Sequence, residues 1–277
     1  MLAKTFVLLA TLASAVIAAP PAPVPAKPCK PTTTKVGAVV TPTLPVTGVA
    51  PELPAPAAGL ILKAIAIGHG IQNYSCITAN GSATATGALA VLYDIKSLYP
   101  GTPSTGLSAE AFNGLSTAIL WGQNPPLNLV NKTAASPGTP GRPNALAESA
   151  YGADTANPFP AAPADLRLGA ITVPFLGVHY FDAASSPTFD LRSKAGLLAS
   201  VKKVDVAKAP ATADKGILQT GAVDWLGLPD NARGLGVGLS YVCRVVTAGG
   251  VAQACSTSGV GVGSVPYAAQ YWFYGAA

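Results

Sequence analysis

Glycine and proline punctuate this chain so densely that an architecture of long helices is closed to it. There are 29 glycines and 26 prolines in 277 residues, and from residue 59 onward they cut the sequence into short apolar runs. Proline removes a backbone donor and both residues weaken helix interiors, so a chain divided in this way favours strands joined by turns. The runs fall at 60–67, 71–78, 87–93, 171–182, 187–191, 197–206, 221–228, 235–247, 251–255 and 267–274. Asn80-Gly81 is a turn signal between the second and third of them. No strand–helix–strand alternation is visible. The expected fold is therefore mainly β, an antiparallel β-sandwich or barrel with long Pro/Gly-rich loops. One short helix is expected behind Ser108, where Phe112, Leu115, Ile119 and Leu120 recur at helical spacing after a candidate N-cap. Residues 123–165, rich in Pro, Gly, Asn and Ala, read as a long insertion loop.

The first residues set a compartment. Lys4, the apolar run 6–17 and the small residue Ala18 read as a secretory signal cleaved after Ala18. The run is shorter than the roughly 20 apolar residues of a spanning helix, and it meets Pro20 and Pro21. No later segment reaches spanning length. The expected organisation is a signal peptide at 1–18, a Pro-rich arm or linker at 19–58 and a single β-rich domain at 59–277. Eleven prolines from Pro20 to Pro56 give the arm a polyproline-like character. The mature chain is expected to be a secreted, soluble, extracellular protein. Three sequons, at Asn73, Asn80 and Asn131, fit that route as glycosylation acceptors, with Asn80 and Asn131 the more loop-like.

Lys and Arg number 17 against 12 Asp and Glu, a net charge of +5 that falls to +4 when Lys4 leaves with the signal. The cations are scattered. A nucleic-acid surface needs them clustered, so that partner is not expected. All four cysteines lie beyond the cleavage point, and an even count in an oxidising compartment reads as two disulfides. Three connectivities are open. A hairpin turning at Gly249-Gly250 would set Cys243 opposite Cys255 and leave Cys29 to pair with Cys76; a pairing of Cys76 with Cys243 between core strands is the alternative.

Only two histidines are present, His69 and His179, and they are the first candidates for metal ligation. A metal site needs at least three convergent ligands, which would draw on Asp94, Asp182, Asp190 or Asp224. Hydrogen bonding and strand packing of each histidine separately is the competing account, so no metal and no cofactor is assigned. Glycoside hydrolysis needs two carboxyl groups at a set separation. Glu52, Glu110 and Glu148 fall in the arm, helix and insertion loop, which leaves Asp182, Asp190 and Asp224 as strand-borne candidates. Asp182, Asp224 and His179 are the candidate catalytic set. No Gly-x-Ser-x-Gly occurs. In the final strand Tyr267, Tyr271 and Phe273 share one face and Gln270, Trp272 and Tyr274 the other; core packing on both faces is expected, with an aromatic platform as the alternative.

Six ordered blocks carry a resemblance: 68–76 (GHGIQNYSC), 87–94 (GALAVLYD), 177–182 (GVHYFD), 221–226 (GAVDWL), 241–250 (YVCRVVTAGG) and 265–273 (VPYAAQYWF). Together the blocks resemble a fungal secreted-protein family with bacterial relatives, classed as a domain of unknown function and often labelled malate dehydrogenase. The resemblance spans residues 50 to 274 and implies secretion and a common domain, without sites. The dehydrogenase label disagrees with the residues. A dinucleotide site needs its glycine turn between a strand and a helix, whereas Gly68-His-Gly70 lacks a third glycine and continues as a strand pattern. The function expected from the sequence is a non-enzymatic interaction protein of the cell surface, cell wall or host interface, with cell-wall polysaccharide or an extracellular protein as partner. The alternative is a carbohydrate-active or metal-assisted enzyme.

Overall fold

A computed structural model describes residues 40–132 and 146–277, together with the backbone of 138–139 and 142–143. The signal segment, most of the arm and Cys29 lie outside the described residues.

The fold is mainly β and antiparallel. Its strands are β1 (Leu60–Cys76), β2 (Thr84–Asp94), β3 (Gly138–Thr139), β4 (Arg142–Pro143), β5 (Leu166–Leu168), β6 (Ile171–Val173), β7 (Phe175–Phe181), β8 (Pro187–Leu191), β9 (Leu197–Ser200), β10 (Asp205–Ala207), β11 (Trp225–Pro229), β12 (Tyr241–Gly249) and β13 (Gly261–Ala276). Nine of them form one sheet in the order β10-β11-β12-β13-β1-β2-β7-β8-β9, while β3-β4 and β5-β6 are separate two-stranded pairs. At the centre β1 and β13 pair along nearly their whole length, from Leu60↔Ala276 to Cys76↔Gly261.

The large sheet curls so that one of its faces becomes an interior. Alternation assigns Ala64 and Ala66 of β1, Ala90 and Leu92 of β2, Phe189 of β8, Val242 of β12, and Tyr271 and Phe273 of β13 to a single inner core. Small residues on β1 and β2 give the bulky rings of β8 and β13 room. Gly68 is the clearest case, since a Cβ there would lie 2.6 Å from Cε2 of Tyr271. The opposite face, with Ile65, Ile67, Val245 and Trp272, is covered by α1 (Ala109–Asn113) and α2 (Leu115–Gly122) through Phe112, Ile119 and Leu120. Ser108 caps α1 as expected, its Oγ accepting from the Ala111 N–H at 3.1 Å. Gly114 separates the two helices, so the expected single helix is broken into two.

The sheet margins come together without a continuous ladder. Residues 201–204 join β9 directly to β10, Leu198 and Val237 exchange backbone hydrogen bonds at 2.9 and 2.8 Å, and Lys202 N–H donates to the Pro229 carbonyl. Isolated bridges link Leu198 to Gly238 and Val201 to Asp230. The architecture is sandwich-like rather than a closed barrel, and we call this margin the seam.

Other local readings change as well. The runs 60–67 and 71–78 belong to one 17-residue strand that continues through Gly68-His69-Gly70. The run 251–255 is not a strand; Cys255 opens a short helix, Cys255–Ser258. The pairings of Cys243 with Cys255 and of Cys29 with Cys76, and the alternative of Cys76 with Cys243, are replaced by a disulfide between Cys76 and Cys255, and Cys243 is a buried free thiol. The physical reason lies at Gly249 and Gly250, whose φ values of 64° and 93° steer the chain away from β12 instead of back along it. The true partner of β12 is β13, where Cys243 faces Trp272 in the register. Cys76 ends β1 beside Gly261, six residues beyond Cys255, so the loop before β13 carries Cys255 to the end of β1.

Candidate functional site

At one mouth of the curled sheet lies a cavity of about 610 Å³. Its lining mixes apolar and aromatic side chains, Phe181, Phe189 and Leu228 among them, with polar ones that include Gln72, His179, Arg244 and Tyr271.

Each reaches the cavity through strand register. Arg244 pairs with Tyr271 across β12–β13 and with Leu226 across β11–β12, so it points to the inner face. Tyr271 is buried and lies in the inner core, with the Tyr267 and Tyr271 hydroxyls 2.9 Å apart. Burial pushes the Tyr271 phenol up, against the opposing effect of the Arg244 cation and its hydrogen bonding. Gln72 stands opposite Ala88 on β2 and is buried, and its Nε2 has no hydrogen-bond partner. His179 stacks on Phe189 with ring centroids 4.1 Å apart. Its Nδ1 lies 2.9 Å from the Thr188 carbonyl, an acceptor, so Nδ1 carries the proton and Nε2 is the free acceptor. Desolvation pulls the His179 pKa down to about 4, with the Thr188 carbonyl opposing and the Arg244 cation reinforcing. His179 is neutral at pH 7.

Arg244 is half-buried, and its Nε and Nη2 donate to the Asp224 carbonyl oxygen at 3.2 and 2.8 Å. The Asp224 carboxylate is engaged by Lys208 Nζ at 2.9 Å. Lys202, Lys203 and Lys208 stand at the cavity rim. The lining thus carries four cationic side chains and one carboxylate, itself already paired.

The candidate residues read from the sequence are dispersed in part. His179 and Asp224 line the same cavity, but Asp182 does not. Asp182 organises the turn after β7, accepting from the Ala184 and Ser186 N–H groups, and is paired with Arg233 at 2.7 Å. His69 is on the other face of the sheet: it pairs with Val91, Val91 with Val178, and His179 follows with opposite polarity. It is fully enclosed with neither ring nitrogen hydrogen-bonded, and desolvation lowers its pKa to about 3. Among the described residues, no three His, Cys, Asp or Glu side chains are grouped to hold a metal ion. Asp190 is paired with Arg192 at 2.6 Å. Asp94 accepts the Lys96 N–H. Glu148, in the insertion, is buried and accepts from the Gln253 N–H, and its carboxyl is held above the usual range by desolvation. Asn80 is exposed, whereas the Asn73 Oδ1 accepts from Ser264 Oγ at 2.8 Å on β1.

Sequence reasoning passed over Arg244 and Gln72. The signal was available for Arg244, since it is the one charged residue in the strand YVCRVVTAG.

Residues 56–275 match the family described as Protein of unknown function (DUF3455). The chain belongs to this DUF3455 family. The DUF3455 match spans every strand from β1 to β12 and nearly all of β13, so the cavity and all of its lining residues lie inside the family domain. The chain matches no curated protein and no solved structure. Among the described residues no helix is long and apolar enough to cross a membrane.

Proposed function

We propose that this DUF3455 protein is a non-enzymatic extracellular binding protein and that its ligand occupies the mouth of the curled sheet. The observation that carries the reading is the cavity of about 610 Å³, whose lining combines apolar and aromatic side chains with polar groups that include Gln72, His179, Arg244 and Tyr271. Ligand sites are typically concave, of roughly 300–1,000 Å³, mostly apolar, and given orientation by a few placed polar groups. A cavity of this size suits a small molecule or the terminal unit of a polymer better than the side of a polysaccharide. The Cys76–Cys255 disulfide and the signal-like N-terminus support an oxidising, extracellular setting. The separation of Asp182 from the cavity, and the engagement of Asp224 by Lys208, weigh against a carboxylate pair acting there.

Ala88→Trp tests the location by filling the cavity from β2, where Ala88 lines it. Protein purified from a secreting host is exchanged into volatile buffer and denatured, and released small molecules are compared with those from the filled variant, with folding of both checked by circular dichroism. Wild type is also screened against a fragment library by thermal shift. Compounds that bind wild type and lose affinity for the folded Trp variant support the reading. Equal binding to both proteins, or no binding to wild type, overturns it.

A further inference from the structure

We infer that the cavity is built for a small organic carboxylate with a planar apolar body, its charge held by Arg244 and Gln72. The inference rests on the cavity being the binding site and adds the chemistry of what enters it.

Three observations converge. Arg244 is a half-buried guanidinium with no carboxylate within ion-pair distance among the described residues. One of its edges is committed to the Asp224 carbonyl, a neutral dipole that orients the group without cancelling its charge. A cation withdrawn from water without a counter-ion is costly, and a ligand anion removes that cost. Gln72 supplies the second donor. Its amide adjoins the Tyr267 hydroxyl, yet Nε2 makes no hydrogen bond although the side chain is only 7% exposed. A buried N–H left unpaired is rare in native structures and is satisfied by whatever fills the space in front of it. The third observation is the charge of the mouth: Lys202, Lys203 and Lys208 surround it, and only Lys208 has a carboxylate partner among the described residues. Such a rim concentrates anions ahead of binding.

The walls select the rest of the molecule. The parallel His179–Phe189 stack, with Phe181 and Tyr271 beside it at 5.9 and 5.8 Å from the imidazole, offers ring faces and edges to a flat apolar body. A carboxylate matches the planar fork of a guanidinium, and two N–H donors from different strands would fix its orientation. His179 Nε2, an acceptor, would receive a hydroxyl on the ligand ring and cannot itself attract the anion while the imidazole is neutral.

The test uses the full secreted chain and three probes sharing one body: 2-naphthoate, 2-naphthamide and 2-naphthyl phosphate. Binding is read by probe fluorescence and calorimetry on wild type, Arg244→Lys and Arg244→Met. The carboxylate is expected to bind wild type roughly tenfold or more tightly than the amide, and Arg244→Met to remove that preference. Arg244→Lys is expected to restore part of it. On wild type alone, rising salt is expected to weaken naphthoate and leave the amide unchanged, a readout that does not depend on any variant folding. Equal affinity for carboxylate and amide, or a carboxylate preference that survives Arg244→Met, overturns the anion assignment while the cavity stands as a binding site. A phosphate preference overturns the carboxylate assignment in favour of a phosphoryl ligand. Absence of binding by all three probes, with fragments still binding in the cavity, overturns the naphthoate-like body and with it the inference.

Discussion

Two buried histidines make the stability of this protein sensitive to acid. Their pKa values fall from 6.5 to about 4 at His179 and about 3 at His69, both through desolvation. Well above pH 6.5 neither the folded nor the unfolded chain protonates them. As pH falls below that value the unfolded chain takes up protons that the folded chain refuses, so stability declines until the folded pKa values are reached. At pH 5 the expected loss is about 2 kcal/mol per histidine. Urea titrations at pH 7 and pH 5 measure it, and His179→Gln should remove about half of the difference; an unchanged pH dependence in that variant would show that His179 is not responsible. Gly68 gives a second residue-scale prediction. Its Ala substitution places a Cβ 2.6 Å from the Tyr271 ring and 3.0 Å from Leu92 Cδ2, and should cost about 1–3 kcal/mol through overpacking. The denaturation midpoint checks this, and a cost below a few tenths of a kcal/mol would mean that the Tyr271 ring yields freely. At this scale the sequence was partly legible. Rarity drew attention to His179, which does line the cavity. Arg244 was legible as the lone charge of its strand and was passed over, whereas the significance of Gln72 depends on which strands lie beside it, and register is a long-range property.

At the scale of elements, turn chemistry was the weak link. Gly249-Gly250 resembles a tight hairpin turn, but positive φ at both residues is equally suited to leading the chain off the sheet. The result is the Cys76–Cys255 bond across a sequence separation of 179. A crosslink over so long a loop restricts the unfolded chain, and Cys76→Ser with Cys255→Ser is expected to lower stability by about 2–5 kcal/mol. Peptide mapping under non-reducing conditions should recover the 76–255 link. The Cys243 peptide should be alkylated only after denaturation, since burial pushes that thiol up to about 12. Rapid alkylation of Cys243 in the folded protein would contradict its placement between β11 and β13. Strands themselves were readable wherever apolar alternation was sustained, as in β7, β8 and β13. The break between 67 and 71 was misread because glycines that ordinarily end a strand here make space for Tyr271 and for the backbone of β2.

For the whole molecule, a mainly β antiparallel fold followed from the spacing of glycine and proline, whereas the curl of one sheet around its own face did not. Curl depends on many small residues lying together on β1 and β2, and on bulges such as those between Leu62 and Ala64 and between Val245 and Ala248. The hierarchy of stability should follow the same geometry. Amides at the β1–β13 centre are expected to exchange slowest with solvent, and those of Leu198 and Val237 at the seam at least about tenfold faster, because local opening there breaks few contacts. Hydrogen-exchange mass spectrometry resolves the two regions, and equal protection would mean that the seam opens only with global unfolding. The seam has a further consequence for how copies of the protein meet. An open sheet ends in unpaired donors and acceptors that can recruit a strand from another molecule, the starting point of fibrous assembly. Here, among the described residues of the large sheet, the outer side of β9 is engaged by residues 229–238, and the margin left over is the three-residue β10. Crowded molecules are thus offered little template for growth along the large sheet.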